Sequence, residues 1–210
     1  MKRIEPFKTN DDALVSLDNG GRFFNLFTKA DDGIITQAEL GKVGGIFNDK
    51  QNMVLFLEMA ISRLSSDEQE TLISKLDKEL KTTYFKFKPQ RLLPSEVAKK
   101  GKISSNAILT GVPKLIEGKS AFNGFIMMPI MAGKTMTFMM IPLIEKYNVY
   151  ELRDETTSET FIIAHSKDSE ILPQEKIVIA GVIKELQAQK GENAPAKFLE
   201  AIYHTSADGL

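Results

Sequence analysis

Apolar and polar positions change period once along this chain, near residue 81. Before that point the spacing is helical. Between Asn48 and Leu64, Met53, Val54, Leu57, Ala60, Ile61 and Leu64 recur at the spacing of one helix face. Leu55, Phe56 and Met59 fill the remaining faces, which predicts a helix buried on most sides. The next stretch, "SSDEQETLISKLDKEL", opens with Ser65 and Glu68 in capping-box spacing and an acidic first turn. Leu72, Ile73, Leu76 and Leu80 then form one apolar face. A small helical bundle is expected.

After Lys81 the period shortens. "TTYFKFK" alternates in part and is rich in strand formers, which predicts a strand. "PQRLLPSEVAKKGKISS" reads as a connector with two prolines and a basic cluster. "NAILTGVPKLI", "AFNGFIMMPI" and "KTMTFMMIPLI" read as strands punctuated by Gly and Pro. "NVYELRD" and "ETFIIAHS" read as a hairpin joined through Glu155 to Ser158. "EKIVIAGVIKEL" fits a strand or the start of a helix, and "NAPAKFLEAIYHT" reads as a short helix with Pro195 near its start.

Helices followed by strands predict an α+β protein. The division falls at 1–81, a helical bundle, and 82–210, a β-rich part with a C-terminal helix, the two packed separately or as one unit. About seven short strands predict an antiparallel barrel or a strongly bent antiparallel sheet. Nearly continuous apolar runs predict that both faces of the sheet are covered.

Composition narrows the chemistry. Of 210 residues, 42% are hydrophobic and 26% charged, as in an ordinary globular chain, and the net charge is -1, too small to draw nucleic acid by a global field. With no cysteine, disulfides, thiolate catalysis and zinc–thiolate sites are excluded, and a cytoplasmic location is expected. His165 and His204 are the only histidines, too few for a multi-histidine metal centre. The N-terminal stretch lacks an apolar segment and a small-residue cleavage site, so no signal peptide is expected. "GFIMMPIMAGKTMTFMMIPLI" approaches membrane length, but Pro129, Gly133, Lys134 and Pro142 interrupt it. It is expected to form core, with no membrane insertion.

The stretch "FFNLFTKADDGIITQAEL", Phe23 to Leu40, places Phe24 and Phe27 on an entering helix, Gly33 at a sharp turn, Ile35 at an apolar position and Glu39 at the end. In these features it resembles an EF-hand whose loop begins at Thr28 and whose Ile35 would join paired loops. That resemblance implies calcium held by Asp32, the Ile34 carbonyl and Glu39, with Thr28 and Thr36 as further oxygens. Ala30 offers no side-chain oxygen where the family places a ligand, and Asp31 is one residue out of register. The set falls short of the six to eight oxygens calcium takes. Thr36 and Glu39 also have capping-box spacing. "KADDGIITQAEL" is similar as well to the turn and acidic helix start of tellurite-resistance TerB-like proteins, which implies a helical scaffold. The expectation is a retained helix–loop–helix shape with a vestigial metal site and no cofactor.

Three further stretches carry candidate chemistry. "MMPIMAGKTMTF" looks like a phosphate-binding P-loop, with Lys134 and Thr135 in order, but Met128 stands where the motif has its first glycine. A β-turn between two core strands is the plainer reading. Six of the nine methionines lie between Met127 and Met140, suited to a plastic core or a pocket for a small apolar ligand. Lys86, Lys88, Arg91, Lys99, Lys100 and Lys102 lie near aromatics, as on surfaces that bind single-stranded nucleic acid, or as on a defended strand edge. His165, at a strand end, is expected to be a surface or hydrogen-bonded histidine. The chain therefore reads as a non-enzymatic binding, regulatory or scaffold protein, partnered by a protein or a small apolar ligand. A degenerate P-loop nucleotide enzyme and a single-stranded nucleic-acid-binding barrel are the alternatives.

Overall fold

A computed structural model of the chain describes residues 1–19, 32–46, 48–117, 124–132, 135–154, 156–157, 159–187 and 197–208. It divides into two compact units, Arg3–Pro89 with Asp208–Leu210, and Gln90–Ala207 with Met1–Lys2. Together they make a mixed α+β protein.

The first unit is helical, and each helix starts at a side chain that captures an orphan backbone N–H. Thr9 caps α1 (Asn10–Leu17) and Asp49 caps α3 (Lys50–Ala60). Capping boxes open α2 (Gln37–Gly44), through Thr36 and Glu39, and α4 (Ser66–Ser74), through Ser65 and Glu68. Asp77 caps α5 (Lys78–Phe87), accepting from the Leu80 N–H at 2.6 Å. Every residue of α3 from Met53 to Ala60 is buried, including Glu58. The Glu58 carboxylate is satisfied by the Tyr84 hydroxyl of α5, which donates to Oε1 at 2.6 Å. Helix α5 corrects the strand expected from "TTYFKFK". The alternation there is short, whereas Leu80, Thr83 and Tyr84 are buried at helical spacing behind a capped start.

The second unit is built on strands β2 (Gln90–Leu92), β3 (Asn106–Leu115), β6 (Tyr147–Arg153), β7 (Thr160–Ser166), β8 (Ile177–Glu185) and β9 (Lys197–Ser206), with β1 (Lys2–Arg3) at one end. Helices α6 (Pro94–Lys100) and α7 (Leu143–Lys146) interrupt it. A separate pair, β4 (Phe125–Ala132) and β5 (Thr135–Pro142), forms its own two-stranded sheet. The pairings are β6 with β7, β3 with β6, β3 with β8 and β8 with β9, all antiparallel, and β2 with β3 and β7 with β9, both parallel.

The barrel expected from the number of strands does not form. An antiparallel barrel has no parallel pairs and leaves no edge. Here β2–β3 and β7–β9 pair in parallel, β7 meets β9 only at Ile163 and Ala164, and β1 and β2 stand at the ends of the strand order, so the sheet is largely antiparallel, branched and not a barrel. Strand β3 changes partner along its length, from β8 over Asn106–Gly111 to β6 over Val112–Leu115. The C-terminal helix is also corrected. "KFLEAIYHTS" is strand β9, with Leu199, Ala201, Tyr203 and Thr205 buried at period two. The segment 177–185 is a strand too, and it pairs with β9 through an irregularity at Ala180/Gly181. A Cβ on Gly181 would lie 2.2 Å from the Glu200 carbonyl oxygen, so only glycine lets the two backbones approach this closely.

Alternate residues of β7 enter two apolar clusters. Phe161 and Ile163 join Tyr150, Leu152, Ile179 and Leu199 in one, and Ile162 and Ala164 join Leu143, Val149 and Phe198 in the other. Asp154, buried at the end of β6, fastens the rim. Its carboxylate accepts from the Ser95 hydroxyl at 2.6 Å and the Thr156 N–H at 2.8 Å. Among the described residues, no helix is long and apolar enough to cross a membrane.

Two substitutions check this packing. Gly181→Ala is expected to destabilise the β unit by about 1–3 kcal/mol, because the obstacle is backbone and cannot rotate away. Tyr84→Phe, which leaves the buried Glu58 carboxylate without that donor, should cost the helical unit about 1–3 kcal/mol. Urea unfolding followed by circular dichroism reads both, and a loss under about 0.5 kcal/mol would contradict the packing described.

Candidate functional site

Strands β3 and β6 pair directly, with Leu115 opposite Tyr150 and the Ile116 N–H donating to the Val149 carbonyl at 2.9 Å. The strands between them in sequence do not join this sheet. They are β4 and β5, which pair antiparallel in unbroken register from Phe125 opposite Pro142 to Ala132 opposite Thr135. Two residues, 133 and 134, separate the strands, and both lie outside the described residues. The P-loop-like stretch thus joins strand to strand. Thr135 opens β5, whereas phosphate chemistry of that type needs a helix to begin there.

Facing positions on this hairpin follow from the register. Met127 lies opposite Met140 and Met131 opposite Met136, with Phe138 between the two pairs along β5. These five side chains share one face. They are 47% (Met127), 67% (Met131), 62% (Met136), 59% (Phe138) and 48% (Met140) exposed. The methionine-rich strands expected at the centre of the core are instead an exposed apolar surface. Their apolar character was real, but the sheet completes its core with β3 and β6 to β9, leaving no place for them. Among the described residues, the base is where the hairpin is anchored. Phe125 and Gln187 exchange backbone hydrogen bonds of 2.9 and 2.8 Å, Ile141, Leu143 and Ile144 are buried, and Ile126 packs against the second cluster.

A cavity of about 260 Å³ sits at this base, lined by Ile126, Met127, Tyr147, Lys184, Phe198 and Glu200 among others. The Tyr147 hydroxyl donates to Glu200 Oε1 at 2.8 Å, and Lys184 Nζ lies 3.6 Å from Glu200 Oε2. The Tyr147 ring meets Phe198 edge-on at 6.3 Å. Burial, aided by the Glu200 hydrogen bond and charge, pushes the Tyr147 hydroxyl up to about 12. It is therefore a fixed donor at neutral pH. The arrangement is a small polar rim beside an apolar face.

The residues singled out in the EF-hand-like stretch serve local backbone. Glu39 is buried, and its Oε2 accepts from the Thr36 N–H and hydroxyl, each at 2.9 Å. Asp32 Oδ1 accepts from the Ile34 N–H at 3.0 Å. Gly33 has φ of 81°, and its N–H donates to Asp18 Oδ2 at 2.7 Å, a link across fifteen residues that no local pattern announced. Ile35 forms a parallel bridge with Leu76. Thr28, Ala30 and Asp31 lie outside the described residues. Among the described residues, no group of three or more His, Asp or Glu side chains is placed to hold a metal.

The basic residues do not share one strand: Lys86 is on α5 and Lys88 follows it in the first unit, while Arg91 is on β2, Lys99 and Lys100 are on α6 and Lys102 follows it in the second. Lys86 lies over the Phe87 ring at 5.1 Å and Lys88 over the Tyr84 ring at 5.6 Å. His165 is buried, not at the surface. Its Nδ1 lies 2.9 Å from the Ser166 carbonyl oxygen, which only accepts, so Nδ1 carries the proton in the neutral ring. Nε2 then accepts from the Tyr150 hydroxyl at 3.1 Å, whose oxygen accepts from the Leu172 N–H at 3.2 Å. This chain of bonds ties the Leu172 backbone to the sheet through Tyr150 and His165.

The chain matches no protein-family model and no curated protein.

Burial, with the Met1 amine acting the same way, pushes His165 below its ordinary 6.5. The unfolded chain therefore binds the extra proton first as pH falls. The stabilising contribution is whole above about pH 6.5 and declines as pH drops through the lower folded value. The melting temperature should be lower near pH 5.5 than near 7.5, and His165→Gln, which keeps an acceptor for Tyr150, should flatten that difference. An unchanged pH profile in the variant would contradict this chain of bonds.

Proposed function

We propose that this is a non-enzymatic binding protein whose working element is the β4–β5 hairpin, engaging an apolar surface of a protein partner. One observation carries the reading: five apolar side chains on a single strand-pair face stand about half exposed or more. At about 200 Å² for each fully exposed side chain of this size, they offer roughly 550 Å². That is near the upper end of apolar patches on monomers, and such patches mark interaction sites. Methionine, unbranched and polarizable, adapts its shape to what it meets. Tyr147, Lys184 and Glu200 beside the face supply a polar border, as interfaces commonly have. The cavity of about 260 Å³ is below the usual range for a small-molecule site, which favours a protein partner over a small apolar ligand.

The reading makes a stability and a surface prediction together. Phe138→Asp and Met136→Asp should each change unfolding free energy by no more than about 0.5 kcal/mol. At dilutions where the chain is a monomer, each should also remove more than half of the fluorescence of a dye that reports apolar surface. In cells, a photo-crosslinking residue at position 138 should give a discrete protein adduct that Met136→Asp abolishes. A loss of about 3–5 kcal/mol in Phe138→Asp would mean that the ring is core and would end the reading. So would the absence of any adduct in cells.

A further inference from the structure

We infer that the occupant of this face is the same face of a second copy of the chain, the two hairpins packed sheet on sheet. The inference rests on the hairpin being the interaction element. A face that meets itself across a two-fold axis must be complementary to itself. Met127, Met131, Met136, Phe138 and Met140 carry no charge, so no like charges oppose one another across the axis. The whole-chain charge of -1 sets up no repulsion at a distance. Methionine chains interdigitate with their own kind without a rigid fit.

Area agrees with this occupant. Two faces of roughly 550 Å² bury about 1,100 Å² together, which clears the floor of about 1,000 Å² for a biological contact and lies just under the range of standard interfaces. Stability points the same way. A two-stranded sheet is marginal in water unless something covers its apolar face. Among the described residues, the backbone hydrogen bonds that tie the hairpin to the rest of its unit lie at its base, from Phe125 to Gln187 and from Leu143 to Gly124. A cover supplied by the same chain is present wherever the chain is. Packing is face to face rather than edge to edge, because Pro129 in β4 and Pro142 at the end of β5 have no N–H to give to an added strand. Two hairpins about 10 Å apart make a four-stranded sandwich with a small methionine–phenylalanine core.

Sedimentation velocity of the full chain, from about 1 to 100 µM, tests the inference. The expected result is a mass of two chains that survives high salt. Met136→Asp and Phe138→Asp should weaken association by more than about tenfold with unchanged circular dichroism, and Met136→Leu should retain it. Hydrogen exchange should show β4 and β5 protected in the dimer and released by Met136→Asp. A wild-type monomer with a dye-binding hairpin overturns the dimer and leaves the interaction-surface reading standing. A monomer whose hairpin is already protected overturns both. A dimer that persists in the Asp variants overturns the inference, since it must use another surface. Flotation of the wild type with phosphatidylcholine–phosphatidylglycerol vesicles, lost in Phe138→Asp, would make a lipid surface the occupant and overturn it as well.

Discussion

The antiparallel pairing of Val112–Leu115 with Tyr150–Arg153 governs the β unit. Once β3 and β6 are neighbours, β4 and β5, which lie between them in sequence, pair with each other instead of joining that sheet. Gly111 stands at the point where β3 exchanges β8 for β6, and a Cβ there would lie 2.5 Å from the Arg153 carbonyl oxygen. The absence of a side chain lets two partners approach one strand in succession. The core then closes from β3 and β6 to β9, with both sides of β7 covered. The methionine-rich pair is left outside by topology, not by any lack of hydrophobicity.

That exclusion connects structure to function. The hydrophobic effect acts on whatever apolar area stays in water, so a chain that folds around its hairpin leaves an unspent driving force on the hairpin face. The neighbouring Tyr147 hydroxyl donates to Glu200 and is pushed up to about 12, chiefly by burial, which keeps it a donor. In the proposed reading these polar groups orient an incoming surface. The other candidate residues meet ordinary local structure. Thr135 of the P-loop-like stretch opens a strand, the basic residues fall on several elements of two units, and His165 has both ring nitrogens engaged.

In the helical unit, carboxylates do backbone work. Asp49, Asp77, Glu39 and Glu68 all accept from N–H groups at helix starts. Asp18 reaches forward to Gly33, and Glu58 accepts from Tyr84 in the buried interior. An acidic residue at motif spacing is therefore a poor guide to a ligand site in this chain. The same oxygen that would face a cation satisfies a donor left over by helix geometry.

The sequence by itself determined what depends on residues close together. The helix caps at Ser65 and Thr36, the burial of α3 on most sides, and the two strands on either side of residues 133 and 134 follow from spacing and side-chain chemistry within one or two turns. Where local signals conflicted, the distant partner decided. "TTYFKFK" became α5 because Leu80 and Tyr84 found a core at helical spacing, and "KFLEAIYHTS" became β9 because β8 offered a nine-residue ladder. Links such as Asp18 to Gly33 and Asp154 to Ser95 join positions that no periodicity relates. The place of the hairpin was the least legible feature. Burial is a competition among segments for one interior, and an apolar strand cannot state, from its own residues, that others will fill that interior first.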